Sequence, residues 1–248
     1  MAVKFINFTK EEFLSKNAIY KYMPLEFALD SLKEKYLWFA NPTVWKDPFE
    51  KRFIDEEYKK DNIVIKYPLK GKIFCTCMTQ TRTSEAYWNV YNGGKLGASF
   101  TLSRDRLLVV LNEFSKENNC DVYIGKVMYL HTPEIKKNHL SEVSVFGNDF
   151  KWNKETQIKL LLLKRIAFEY ENEIRIIVVK SNKTKEDGIK LPYKLDTKEL
   201  VRRVTLDPNI GKNLQEILVN YIDNNYGIKQ IYKSSIYTTP KSRIIEIK

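Results

Sequence analysis

The chain has 248 residues, 43% apolar and 13% aromatic, which is enough to build a core of its own. No aliphatic run, Leu160 to Leu163 and Leu107 to Leu111 included, comes near the ~20 apolar residues that a membrane span needs, and no apolar signal core opens the chain, so a cytoplasmic protein with no membrane partner is expected. A formal charge of +11 suits a polyanionic partner such as nucleic acid, although basic residues scattered through a Lys-, Asn-, Ile- and Tyr-rich chain also suit an AT-biased genome.

No linker, repeat or low-complexity stretch divides the chain, so one domain over 1–248 is predicted, with the motif-bearing core at about 19–180 and a C-terminal strand, helix and strand at about 200–238. Lys4 to Ile6 and Ile19 to Tyr22 read as strands. Pro24 opens a helix to about Lys35 with Leu25, Ala28, Leu29 and Leu32 on one face. Tyr36 to Ala40 is strand-like, and the prolines of Asn41 to Glu50 make that segment a loop. Ile73 to Met78 alternates as a strand. Ser84 caps a short helix ended by Gly93-Gly94, Leu96 to Leu102 is a strand, and Ser103 caps a helix from Arg104 to about Glu117. A strand from Asp121 to Leu130, an irregular stretch from His131 to Asn153 and a helix from about Thr156 to Ile166 come next. A strand from Phe168 to Val179 follows. The chain closes with a strand at Val201 to Leu206, a helix from Lys212 to Asn225 stopped by Gly227, and a strand from Ile228 to Tyr237. The class is α+β with short mixed and antiparallel strands.

Period-two alternation in Phe168 to Val179 puts Glu169, Glu171, Glu173 and Arg175 on one face and apolar residues on the other. Carboxylates at i and i+2 of a strand lie about 7 Å apart and repel. Either both are solvated and tied by a Glu–Arg pair, or a ligand recruits one. Trp88 and Tyr91, with Tyr87 beside them, suit a core contact or a stacking wall for a flat ring. Asp47 and Glu50 suit an ordinary turn, or a divalent cation or ribose hydroxyl.

Several chemistries are disfavoured. His131 and His139 are the two histidines, leaving few bases for Ser-His-Asp or Cys-His catalysis. Cys75, Cys77 and Cys120 are an odd set that argues against a disulfide framework and matches no usual zinc spacing, so no metal is expected. No G-x-G-x-x-G or Walker loop is present. Glu173-Ile174-Arg175 resembles the Glu-x-Lys half of a metal-dependent nuclease core, with an Arg that cannot deprotonate where that core has Lys.

Taken in order, Tyr20-Lys21-Tyr22, Leu37 to Pro42, Asp47-Pro48-Phe49-Glu50, Trp88-x-x-Tyr91 with Gly97, Lys164, and Phe168-x-Tyr170-Glu171-x-Glu173-x-Arg175 resemble a bacterial family of unknown function found among mobile and defence-associated genes. The family tends to have Phe-Asn-Asp where this chain has Trp45-Lys46-Asp47, and Trp at Phe168. Asn41 lies inside the second motif. More loosely, a Tyr-basic-Tyr strand, a helix directly after it, an aromatic segment and a late Glu-x-Glu resemble the ADP-ribosyltransferase fold, which implies a split two-sheet core with flanking helices. That resemblance implies NAD as substrate, Glu173 steadying the oxocarbenium-like cation and Glu171 activating the acceptor. It also implies NAD contacts from Tyr20, Lys21, Tyr22, Trp88, Tyr91 and Arg175. A toxin or phage-defence effector modifying nucleic acid or protein, with an antitoxin or other partner protein, would fit. A metal-dependent nuclease using Asp47 or Glu50 with Glu171 and Glu173, and a non-catalytic RNA- or DNA-binding module, are the alternatives.

Overall fold

The computed structural model describes residues 3–60, 63–144 and 154–239. It opens with β1 (Lys4–Ile6) and α1 (Lys10–Leu14), the latter started by a capping box between Thr9 and Glu12. Next come β2 (Ala18–Pro24), α2 (Leu25–Lys33) and β3 (Tyr36–Ala40). The expected loop at Asn41 to Glu50 is instead a 3₁₀ turn (Pro42–Val44) capped by Asn41, then α3 (Pro48–Asp55) capped by Asp47. Both prolines occupy first helical positions, where a missing N–H has no partner to lose.

A hairpin of β4 (Glu57–Lys60) and β5 (Ile63–Lys66) forms a small sheet of its own. Then β6 (Ile73–Thr79), α4 (Glu85–Val90), β7 (Gly97–Ser103) and α5 (Arg104–Glu117) lie close to their predicted bounds. The strand expected from Asp121 to Leu130 divides into β8 (Asp121–Lys126) and β9 (Met128–Leu130) at Val127, whose N–H leaves the ladder for Glu173 O. From the stretch expected to be irregular the chain forms α6 (Thr132–Ser144), and residues 145–153 lie outside the described ones. The helix expected at 156–166 ends early as α7 (Lys154–Leu160), because β10 (Leu163–Arg165) pairs in parallel with β9.

The strand expected from Phe168 begins only at Glu173. Residues Ile166–Glu171 form a 3₁₀ helix, Asn172 turns the chain in the left-handed region (φ 41°), and β11 (Glu173–Val179) follows. Glu169 is therefore exposed and does not share a strand face with Glu173. The remaining elements are β12 (Gly188–Pro192), α8 (Thr197–Leu200), β13 (Val201–Leu206), α9 (Lys212–Tyr226) and β14 (Ile231–Lys233), the last shorter than the strand expected there.

The class is α+β with a mixed main sheet in the order β1-β8-β11-β6-β2-β7-β13-β14. Strand β11 pairs antiparallel with β6 along its whole length, from Glu173 opposite Thr79 to Val179 opposite Ile73. On the other edge β6 meets β2 at Tyr20–Thr79 and β3 at Ala40–Cys75, so the sheet forks there. Phe74, Phe100, Leu111, Ile176 and Val204 fill the larger core; Cys75, Leu162 and Ile177 belong to a smaller one on the opposite face. Among the described residues no helix is long and apolar enough to cross a membrane.

Candidate active site

The ladder between β11 and β6 sets Arg175 opposite Cys77 and Glu173 opposite Thr79, so Glu173 and Arg175 share a face, as the alternation predicts. Arg175 is fully buried. Its Nε and Nη2 donate to Glu173 at 3.0 and 3.1 Å, Nη2 also to Glu50 at 2.6 Å, and Nη1 to Leu161 O at 2.6 Å. Its guanidinium lies 4.6 Å from the Trp45 ring centroid.

Lys164 supplies the second cation. It follows Leu160 to Leu163, which are all buried, so the backbone is held in the core and the ammonium is carried inside. There Lys164 Nζ lies 2.6 Å from Glu171, 2.8 Å from Glu50 and 3.3 Å from Glu173, beneath the Phe168 ring. Glu171 reaches the same ammonium as Glu173 because the Asn172 turn breaks the strand between them. Three carboxylates thus face two cations in a nearly dry site.

These contacts drive the two acids apart. Burial pushes Glu173 up, but Arg175 and Lys164 overcome it and bring the carboxyl down to about 2. Glu171 is raised, by burial and then by the Glu173 charge, despite Lys164. Burial also pushes Lys164 down, and the carboxylates outweigh it, so its net shift is upward. The Cys77 thiol is held protonated by burial and by Glu173.

An aromatic stack roofs the cluster. Tyr87 lies between Tyr22 (4.9 Å between centroids) and Tyr91 (5.4 Å), with Trp88 edge-on to Tyr22. Tyr91 Oη donates to Glu171 at 2.8 Å, and Tyr22 Oη donates to Arg82 O at 2.8 Å. Between Tyr20, Tyr22, Tyr91 and Glu173 a crevice leaves about 10 Å³ free, the size of one water. A group larger than one water does not fit this crevice as it stands.

The predicted residues divide clearly. Glu50, Glu171, Glu173 and Arg175 come together, and Tyr20, Tyr22 and Tyr91 line the crevice beside them. Trp88 is buried in the aromatic cluster. Lys21 alternates with Tyr20 and Tyr22 on β2; its ammonium enters the fork of the sheet, donates to Cys77 O at 3.4 Å and is lowered in pKa by burial. Asn41 is engaged in capping, through Thr43, and in a bond to Glu186 O. Asp47 caps α3 and pairs with Arg165 at 3.1 Å.

Lys164 stands in the sequence motif, where its signal is the first of two basic residues, Lys164 and Arg165, that end an apolar run. Tyr129, which accepts the Glu173 N–H at 2.8 Å, has no local signal. For a divalent cation the donor set does not fit, because Lys164 and Arg175 already occupy the space between the carboxylates, and among the described residues no cluster is disposed to hold a metal ion. No family model, curated protein or solved structure matches the chain.

Proposed function

We propose that the protein is a mono-ADP-ribosyltransferase-like enzyme that transfers ADP-ribose from NAD to a nucleic acid or protein acceptor in the cytoplasm, in the manner of a toxin or phage-defence effector. One observation carries the reading: two carboxylates on a single buried ammonium have opposite acidities, Glu173 ionised to about 2 and Glu171 raised. Carboxyl pairs whose environments separate their acidities in this way divide the work of charge stabilisation and proton transfer. The forked sheet at β6 further supports the ADP-ribosyltransferase-like reading of the fold.

In the reaction the bond between the ribose C1′ and the nicotinamide nitrogen breaks, and its electron pair leaves with nicotinamide. Glu173, held rigid by Arg175, places a fixed negative charge beside the cationic sugar. The acceptor nucleophile forms the new bond at C1′ and gives its proton to Glu171 when that carboxyl is ionised. Tyr20, Tyr22 and Tyr91 wall the sugar once the crevice opens.

The test is calorimetric titration with NAD together with nicotinamide release, on the wild type and on Glu173→Gln. NAD binding with release that falls ~100-fold or more in Glu173→Gln, at unchanged circular dichroism, is expected. No binding at millimolar NAD, or release that survives the substitution, would refute the proposal.

A further inference from the structure

The arm of the sheet formed by β2, β7 and β13 has one apolar and one polar face. Register places Tyr20 opposite Thr101 and Tyr22 opposite Ser99, and then Thr101 opposite Arg203 and Ser99 opposite Thr205. Their neighbours Ile19, Phe100, Leu102 and Val204 are buried in the core on the other side. The polar face floors a cleft of about 380 Å³, walled on one side by Arg82 and Trp88 and on the other by Tyr232 and Lys233.

The chemistry of this cleft is one-sided. Arg82, Arg203 and Lys233 contribute three positive charges, and no carboxylate lines it. Among the described residues none of the three forms an ion pair; Arg203 donates to Gln230 Oε1, and Lys233 to Ile210 O. The Tyr232 ring is 53% exposed, with the Arg203 guanidinium 5.5 Å from its centroid. Trp88 is 5% exposed, and its indole Nε1 is buried without a hydrogen-bond partner. Tyr20 and Tyr22 belong both to this cleft and to the crevice over Glu173.

Unneutralised cations in a concave surface attract phosphates, and a sheet face offering rings and hydroxyls suits unstacked bases. We infer that this cleft binds single-stranded nucleic acid, with Arg82, Arg203 and Lys233 on the phosphodiesters and Tyr232 stacking a base. The bound strand is the acceptor of ADP-ribose, a second step that rests on the function proposed above. The cleft assignment stands without it. A duplex keeps its bases stacked and cannot present one to Tyr232.

The experiment is fluorescence anisotropy with labelled DNA and RNA single strands of about 12 nucleotides and the matching duplex, across about 50 to 200 mM salt. Single strands are expected to bind more tightly than duplex, with affinity falling steeply as salt rises. Arg203→Ala and Lys233→Ala should each weaken binding and reduce the salt slope by about one. Tyr232→Ala should weaken it about tenfold at unchanged slope, and Tyr232→Phe should restore it. Lys116→Ala, at an exposed position of α5, serves as the equal-charge control and should change nothing.

Duplex binding as tight as single-strand binding, an inert Tyr232→Ala, or displacement of the strand by NAD would overturn the assignment. Strand binding without any nicotinamide release would uphold the cleft and remove the transfer step. The ratio of DNA to RNA affinity identifies which polymer is the ligand.

Discussion

Replacing Lys164 with Met removes the ammonium while keeping most of the side-chain volume, so its effect isolates charge from packing. Glu173 and Glu50 retain Arg175, but Glu171 is left with Tyr91 Oη as its remaining side-chain partner among the bonds described above. At 3% exposure it cannot be rehydrated in place, so the folded variant must protonate it or bear an uncompensated charge. Protonating a carboxyl with an unfolded pKa near 4.3 costs about 1.4 kcal/mol per pH unit above that value. The resulting ceiling is ~5 kcal/mol at pH 8 and ~1 kcal/mol at pH 5, in line with the ~3–5 kcal/mol typical of a broken buried pair.

The direction follows from linkage. In the variant the folded Glu171 pKa lies above its unfolded value, so the folded state binds the extra proton between the two, and stability falls as pH rises through that window. Urea denaturation followed by tryptophan fluorescence, for wild type and Lys164→Met from pH 5 to pH 8 at constant ionic strength, reads this out. The loss should grow with pH. Arg165→Met provides the contrast, since its pair with Asp47 is 38% exposed on the arginine side and should cost under ~1 kcal/mol with little pH dependence. A loss for Lys164→Met that is the same at every pH, or below ~1 kcal/mol at pH 8, would refute the reasoning.

Two further substitutions test the supports of the site. Asn172→Ala should cost ~1–2 kcal/mol for a left-handed backbone at φ 41°, and Asn172→Gly should recover most of it, as measured by chemical denaturation; equal losses in both would place the cost in the Gln80 hydrogen bond instead. Gly97→Ala would set a Cβ 2.1 to 2.2 Å from the Asn92 side chain, which is bonded to Asp207 together with the Gly97 N–H. That substitution should lower stability by ~1–3 kcal/mol, and an unchanged melting temperature would show that Asn92 is free to swing away.

Local signals account for what could be read in advance. Helices α5 and α9 follow from apolar spacing ended by recognisable stops, with Ser103 before one and Gly227 (φ 67°) after the other. Strand β6 follows from alternation, and β7 and β13 lie close to the strands read at Leu96 to Leu102 and Val201 to Leu206. The segment from Phe168 to Val179 shows where alternation misleads: its period continues to Phe168, but the chain coils through Glu171 and turns at Asn172, because Glu171 gains Lys164 and Tyr91 as partners. The prolines after Asn41 suggested a loop, yet at first helical positions they start helices. For Glu171 the deciding partner Lys164 lies outside the window in which the pattern was read; for the prolines the caps Asn41 and Asp47 lie inside it.

The amino-acid sequence by itself determined the α+β class, the strand face shared by Glu173 and Arg175, and the residue types of the carboxylate cluster, because propensity, periodicity and capping act over a few residues. Only the tertiary structure decided that Glu50, Glu171 and Glu173 converge on Lys164, 114, 7 and 9 residues away from it in the chain, and that Asp47 pairs with Arg165. It likewise decided that Lys21 enters the sheet fork while Arg82, Arg203 and Lys233 gather around one cleft. Burial, electrostatic coupling and shape at a site are properties of groups brought together by folding, and no local pattern along the chain encodes which distant groups will meet.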